Sequence, residues 1–171
     1  DNMFNLTDTI EVMCNFSVAT SPNNLGSCSP DGWHFVNNAW TPQALAKQLT
    51  DESNLNNPSE FDFTLNMNSG RSNWYFGTDG NCPAGEYDFV TVAMHEIIHG
   101  MGFVGLFGFV NNSGSLSVNN WLSAATYDNL VTNGSGTLIT SLTQSQAATA
   151  MINDVEFSGA STMAQNGNIR P

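Results

Sequence analysis

The stretch from Asp88 to Gly102 constrains this chain more than any other. Asp88 caps a run, Phe89 to His99, that holds Val, Ala, Met and Ile and neither Gly nor Pro, so it predicts a buried helix broken by Gly100 and Gly102. Three titratable side chains, His95, Glu96 and His99, stand inside that run. Residues four apart share a helix face, so the two imidazoles converge while Glu96 sits about 100° round from His95. A buried helix has little use for such groups unless they are paired or hold a metal.

The pattern His-Glu-x-x-His is the zinc hydrolase arrangement. Zinc accepts imidazole nitrogen, keeps an open position when catalytic, and lowers the pKa of a bound water to about 7. Glu96 is the candidate general base, His95 and His99 the candidate ligands, and Zn2+ the cofactor that the spacing calls for. The bland alternative is two structural histidines and a solvated Glu. His34, between aromatics in an expected strand, reads as structural. Asp128, in Thr126-Tyr127-Asp128-Asn129, reads as a turn or capping carboxylate rather than a ligand, and Met163 as packing.

Elsewhere the chain alternates between short strands and short helices. Ile10, Val12, Cys14 and Phe16 recur at period two, as in a strand. Ser21 to Gly32, with two Pro and two Gly, reads as loop, and Trp33 to Val36 as a short strand. Thr41, as N-cap, and Pro42, at the first helical position, start a helix through Leu49. Phe61, Phe63, Leu65 and Met67 alternate with Asp62, Thr64, Asn66 and Asn68, which predicts a strand with one buried face. Ser69 to Gly85 reads as a long loop with a turn at Asp79-Gly80-Asn81, and Phe103 to Val110 as sheet or packed loop. Thr143 and Gln146 make a capping box before an Ala-rich helix ending near Asn153. The expected architecture is one α+β domain over residues 1–171.

Composition narrows the partners. Three cations against fifteen acids give a net charge of −12 in 171 residues, with no basic patch for nucleic acid or anionic membrane. No apolar run reaches the roughly 18 residues of a membrane span. Asn, Ser and Thr fill about a third of the chain, a composition that accompanies secretion and glycosylation. Four Asn-x-Ser/Thr sequons lie at Asn5, Asn15, Asn111 and Asn133, the last two in Gly/Ser-rich stretches that read as exposed turns. With a start at Asp1, the expectation is a processed or excised secreted segment. Cys14, Cys28 and Cys82 match no metal knuckle. Cys14 with Cys28 could close a disulfide, leaving Cys82 free or paired outside the chain; the alternative is three buried thiols.

Trp74-Tyr75-Phe76-Gly77-Thr78-Asp79-Gly80, Tyr87-Asp88-Phe89-Val90-Thr91-Val92 and His95-Glu96-Ile97-Ile98-His99-Gly100-Met101-Gly102-Phe103 resemble a family of secreted zinc metallopeptidases, metzincin-like and distantly leishmanolysin-like. Its members read approximately WYYGTDG, YDFVTV and HEIGHGLGF. The resemblance extends to Leu25-Gly26, the Phe61 to Ser69 strand, Tyr127-Asp128 and Phe157-Ser158-Gly159-Ala160. It implies a zincin fold, a twisted mixed sheet with an active-site helix, incomplete at both ends. It also implies that His95 and His99 bind zinc, that Glu96 is the base, and that the Phe61 to Ser69 strand is the edge along which a protein or peptide substrate lies. The sequence departs from the short metzincin motif at Gly105, where that motif carries His or Asp. In the family resembled, the third ligand comes later, beyond Pro171, so the remainder of the precursor chain is an expected partner. Two readings follow: a secreted zinc endopeptidase, favoured by the retained Glu96, or a non-catalytic secreted glycoprotein on that scaffold, favoured by the missing third His.

Overall fold

The computed structural model describes residues 8–51, 54–112, 115–119, 124–153 and 155–160, of which residues 109–112 and 115–119 by their backbone. Asn5 and Met163 lie outside the described residues. In chain order the strands and helices are β1 (Val12–Ser17), β2 (Gly26–Pro30), β3 (Trp33–Val36), β4 (Ala39–Pro42), α1 (Gln43–Leu49), β5 (Phe63–Asn68), β6 (Trp74–Tyr75), β7 (Tyr87–Asp88), α2 (Phe89–Gly100), β8 (Gly108–Asn112), β9 (Ser115–Asn119), β10 (Val131–Asn133), α3 (Gln144–Asn153) and β11 (Val155–Phe157). The class is α+β, with small sheets. The described residues fall into two compact units, the first running to Val36 and resuming over Thr41–Phe103, the second comprising Asn37–Trp40 and the chain from Val104.

The first unit is built on a three-stranded sheet of order β1-β5-β2, with β1 parallel and β2 antiparallel to β5. Phe63, Leu65 and Met67 of β5 are buried as their alternation requires, and Leu65, Met67 and Trp74 form a core against Val12, Leu25, Phe89, Val92 and Ala93. The resemblance placed this strand at an edge. Instead β5 is central, hydrogen-bonded on both sides, and the edges are β1 and β2. The segment read as loop from Ser21 to Gly32 contains β2, because pairing to β5 overrides its Gly, Ser and Pro content; Pro30 falls at the last paired position of an edge strand, where no ladder bond is lost. The loop read from Ser69 to Gly85 likewise contains β6, parallel to β7, while the turn at Asp79 forms as expected: Asp79 Oδ1 accepts from the Asn81 amide at 3.1 Å and from the Tyr75 hydroxyl. That hydroxyl bond raises the Tyr75 pKa to about 12.

The outward face of β5 is less exposed than alternation predicts. Asn68 is buried, its Oδ1 accepting from Ala19 N at 3.0 Å and Gly70 N at 2.9 Å and its Nδ2 donating to Asn24 O at 2.7 Å. Asp62, just before the strand, is buried with Lys47 and Gln43 of α1. Helix α1 starts one residue later than expected. Pro42 occupies the N-cap with no side-chain cap, Thr41 is buried in β4, and the Gln43 amide donates to Gly32 O at 2.9 Å. His34 is structural, its Nε2 lying 3.2 Å from Gln43 Oε1. The Gln43 amide nitrogen faces the acceptors Ser59 O, Phe61 O and Asp62 Oδ1, which fixes Oε1 toward His34 and makes the imidazole Nε2–H the donor.

A Cys14–Cys28 disulfide does not form. Both residues pair with Leu65, one on each side of it, so two strand spacings separate them, about 9.5 Å. A disulfide needs Cα atoms within about 4.4–6.8 Å. None of the three cysteines is paired with another within the chain; burial, followed by the Glu96 charge, pushes Cys28 up to about 11.

In the second unit, α3 packs Ala147 and Ala148 against Ile139, with Phe107, Val131, Leu142, Ala150 and Met151 around them. Its capping box is formed, Thr143 N donating to Gln146 Oε1 at 3.0 Å and Gln146 N to Thr143 Oγ1 at 3.3 Å. Strand β10 pairs with β11, and β8 with β9. Asn111 therefore belongs to a strand, opposite Leu116, and not to a turn. Asn133 ends β10 and opens the turn that follows it, in which Gly136 N donates to its carbonyl at 2.7 Å. Asn15 lies in β1 and donates Nδ2 to Asn66 Oδ1 at 3.0 Å. No helix among the described residues is long and apolar enough to cross a membrane.

Candidate functional site

Helix α2 begins where the sequence puts it, with Asp88 accepting from Thr91 N at 2.9 Å. It runs through Gly100, one residue beyond the expected break. It is not a buried helix: Gly100 alone is buried, and Val90, Met94, Ile97 and Ile98 are 37–49% exposed. The reason is its seat on the sheet. The stripe Phe89, Val92, Ala93, Glu96 and Gly100 faces β2 and β5, and a Cβ at Gly100 would enter the Phe63 ring. Glycine at position 100 is thus a packing requirement, since it brings the helix backbone down onto β5.

The end of α2 is a Schellman turn. Phe103 N donates to Ile98 O at 3.0 Å and Gly102 N to His99 O at 3.1 Å, and Gly102 has a φ of 115° that only glycine holds without strain. The turn brings the Phe103 carbonyl back over the last helical turn, where it lies 2.8 Å from His99 Nδ1. A carbonyl can only accept, so the His99 proton resides on Nδ1 and the Nε2 lone pair is free to face outward. His99 Nε2 meets His95 Nε2 at 3.1 Å. Two nitrogens on one tetrahedral zinc, each at 2.0–2.1 Å, stand about 3.3 Å apart. The imidazoles are thus arranged as a two-nitrogen pincer, with the tautomer of one arm set by the backbone.

Glu96 leans toward β2 and shares with His95 the cleft between that strand and α2. Its Cγ would lie 3.1 Å from a Cβ built on Gly26, so the glycine makes room for the carboxylate stem against the edge strand. Between them opens a cleft of about 360 Å3, walled by Asn24, Leu25 and Gly26 on one side and Thr91, Val92, His95 and Glu96 on the other. Gly26 carries a signal that sequence reasoning did not use for the site, because only the three-dimensional approach of β2 to α2 gives it meaning.

The residues weighed as a third ligand are placed elsewhere. His34 is committed to Gln43. Asp128 is buried in the second unit, where Oδ2 accepts from Ala125 N at 2.7 Å and Leu106 N at 3.0 Å; burial still holds its carboxyl above the ordinary carboxylate range. Gly105 could not be a ligand position with a side chain, since a Cβ there would lie 2.5 Å from Asp128 Oδ1. Among the described residues no group of three or more His, Cys, Asp or Glu comes together to hold a metal. The donor set among the described residues is two imidazole nitrogens, which fit zinc in type and spacing and require further ligands to complete it.

An α+β chain with a His-Glu-x-x-His helix laid on a three-stranded sheet is what sequence and fold together define. The family model described as SPBPB7E8-like matches residues 37–161, and the chain belongs to that family. The match takes in β5, all of α2 and α3. No curated protein and no solved structure matches the chain significantly.

Proposed function

We propose that this chain belongs to a secreted zinc-dependent endopeptidase of the zincin type. One observation carries the reading: the 3.1 Å approach of the His95 and His99 Nε2 atoms, with Glu96 beside them on a cleft bordered by the edge strand β2. Zinc, when bound, supplies a Lewis acid and lowers the pKa of a coordinated water. The chain's own residues do the rest. His95 and His99 supply two nitrogens, and the Phe103 carbonyl holds His99 in the competent tautomer. The third ligand comes from outside the described residues. Glu96 takes a proton at its carboxylate and returns it to the leaving amine. β2, not β5, offers the free backbone edge to which an extended peptide adds a strand.

The test is metal content of the full-length gene product. One zinc per chain is expected, lost on His95→Ala or His99→Ala with the fold retained; zinc retained in both variants would overturn the assignment. Gly102→Ala checks the backbone support. The methyl group would meet Leu45 Cδ2 at 2.8 Å at a φ of 115°, straining the Schellman turn by about 1–3 kcal/mol. Zinc affinity, measured against a competing chelator, should fall about 10–100-fold, the usual loss when a ligand's hydrogen-bond partner is displaced. An unchanged affinity would show that the Phe103 carbonyl does not tune His99.

A further inference from the structure

The second unit holds a groove of about 490 Å3 between the turn after β10 and one face of α3. Its walls are Asn133 and Ser135 on the turn and Gln146, Thr149 and Asn153 on the helix, with Leu142 beneath. No lining side chain is titratable, in a protein whose net charge is −12. Uncharged amides and hydroxyls set among the apolar surface of Leu142 and Ala150 suit a neutral ligand that presents both hydroxyls and apolar C–H faces, as a sugar does.

Asn133 stands in this lining and is also the first residue of Asn133-Gly134-Ser135. Its Oδ1 accepts from Ser135 Oγ at 2.8 Å, Thr137 N at 2.9 Å and Ser135 N at 3.2 Å. Those three donors fix the amide and leave Nδ2 as its one end outside the turn's hydrogen bonds. We propose that Asn133 Nδ2 carries an N-linked glycan whose first sugars lie in this groove against α3. In the transfer, Nδ2 bonds to the anomeric carbon of a lipid-diphosphate oligosaccharide, the bond from that carbon to the diphosphate oxygen breaks, the lipid diphosphate leaves, and the displaced amide proton passes to the host transferase. The groove lacks the aromatic platform that a free sugar would need. A covalent tether replaces it, since a short link gives a millimolar effective concentration and weak hydroxyl contacts suffice. The proposal rests on the secreted reading.

The experiment compares the full-length protein from a glycosylating secretory host with the same chain from a host that does not glycosylate. Glycopeptide mass analysis should show Asn133 modified, and the backbone amides of α3 should exchange about fivefold more slowly in the glycosylated form, as an effective concentration about four times the dissociation constant gives. Thr149→Leu, which fills the groove and improves helix propensity, should abolish the difference while leaving the glycan attached. Equal exchange in the two wild-type forms with Asn133 fully modified would overturn the groove, and needs no variant to fold. Asn133 unmodified while another sequon carries sugar would overturn the proposal and leave secretion standing. Sugar at no sequon would overturn both.

Discussion

Glu96→Gln in the full-length gene product is expected to lower peptide hydrolysis by about 10²–10⁴, with one zinc per chain still bound. The amide matches the carboxylate in shape, so it keeps the fit of the side chain against Gly26 on β2, where the stem has only the space that a missing Cβ leaves. It cannot accept a proton from water. Because His95 and His99 contact each other and not Glu96, the pincer should survive the change. Turnover on an unstructured peptide and metal analysis of the same preparation give both readouts. Full activity with zinc present would remove Glu96 from the chemistry, and would return the chain to the reading of a non-catalytic scaffold. Loss of zinc along with activity would mean that Glu96 supports the ligands rather than the proton transfer.

What could be read from the sequence was local. The Asp88 cap, the length of α2 to within a residue, the Thr143 capping box and the buried face of β5 all follow from side chains within a few positions of each other. What could not be read was pairing across the chain. Gly26–Pro30 has no strand pattern of its own, and becomes β2 because β5 offers it a ladder more than thirty residues away. The same ladder moves β5 from edge to centre, separates Cys14 from Cys28 by the width of Leu65's strand, and keeps the expected staple from forming. Helix α2 shows the converse error. Its Val, Met and Ile content predicts burial on all sides, but a helix resting on a sheet buries one stripe, and here that stripe holds Glu96 and Gly100.

The site divides the same way. The spacing of His95, Glu96 and His99 states which side chains meet, and the structure places the two Nε2 atoms at 3.1 Å. The supporting parts come from backbone. Phe103 acts through its carbonyl, Gly102 through its φ, and Gly26 and Gly100 through the absence of a Cβ. None of these has a chemical signature in a sequence, although the two glycines after the motif mark where the chain must turn.

Asp62→Ala should cost the first unit about 3–5 kcal/mol, a large share of the 5–15 kcal/mol that holds a domain folded. Asp62 is fully buried, and its Oδ2 accepts from Lys47 Nζ at 3.3 Å and Glu11 N at 2.8 Å while Oδ1 accepts from Gln43 Nε2 at 3.1 Å. One carboxylate thereby ties α1 to the start of β5 and to the segment leading into β1. Removal takes the carboxylate away from the Lys47 ammonium, 3% exposed, and from the Glu11 amide, whereas Gln43 Nε2 keeps Ser59 O and Phe61 O. The cost comes from breaking the pair rather than from what the pair adds. Lys47→Met with Asp62→Leu, which removes both charges, should therefore be less destabilising than Asp62→Ala alone, and Asp62→Asn, which keeps an acceptor oxygen, should fall between wild type and Asp62→Ala. Urea midpoints at constant m measure all three. A loss below 1 kcal/mol in Asp62→Ala would mean that water replaces the carboxylate and that α1 is held to β5 by its apolar contacts. A double variant as unstable as Asp62→Ala would place the stabilisation chiefly in the hydrogen bond from Glu11 N, because no lysine charge would then remain to explain the loss.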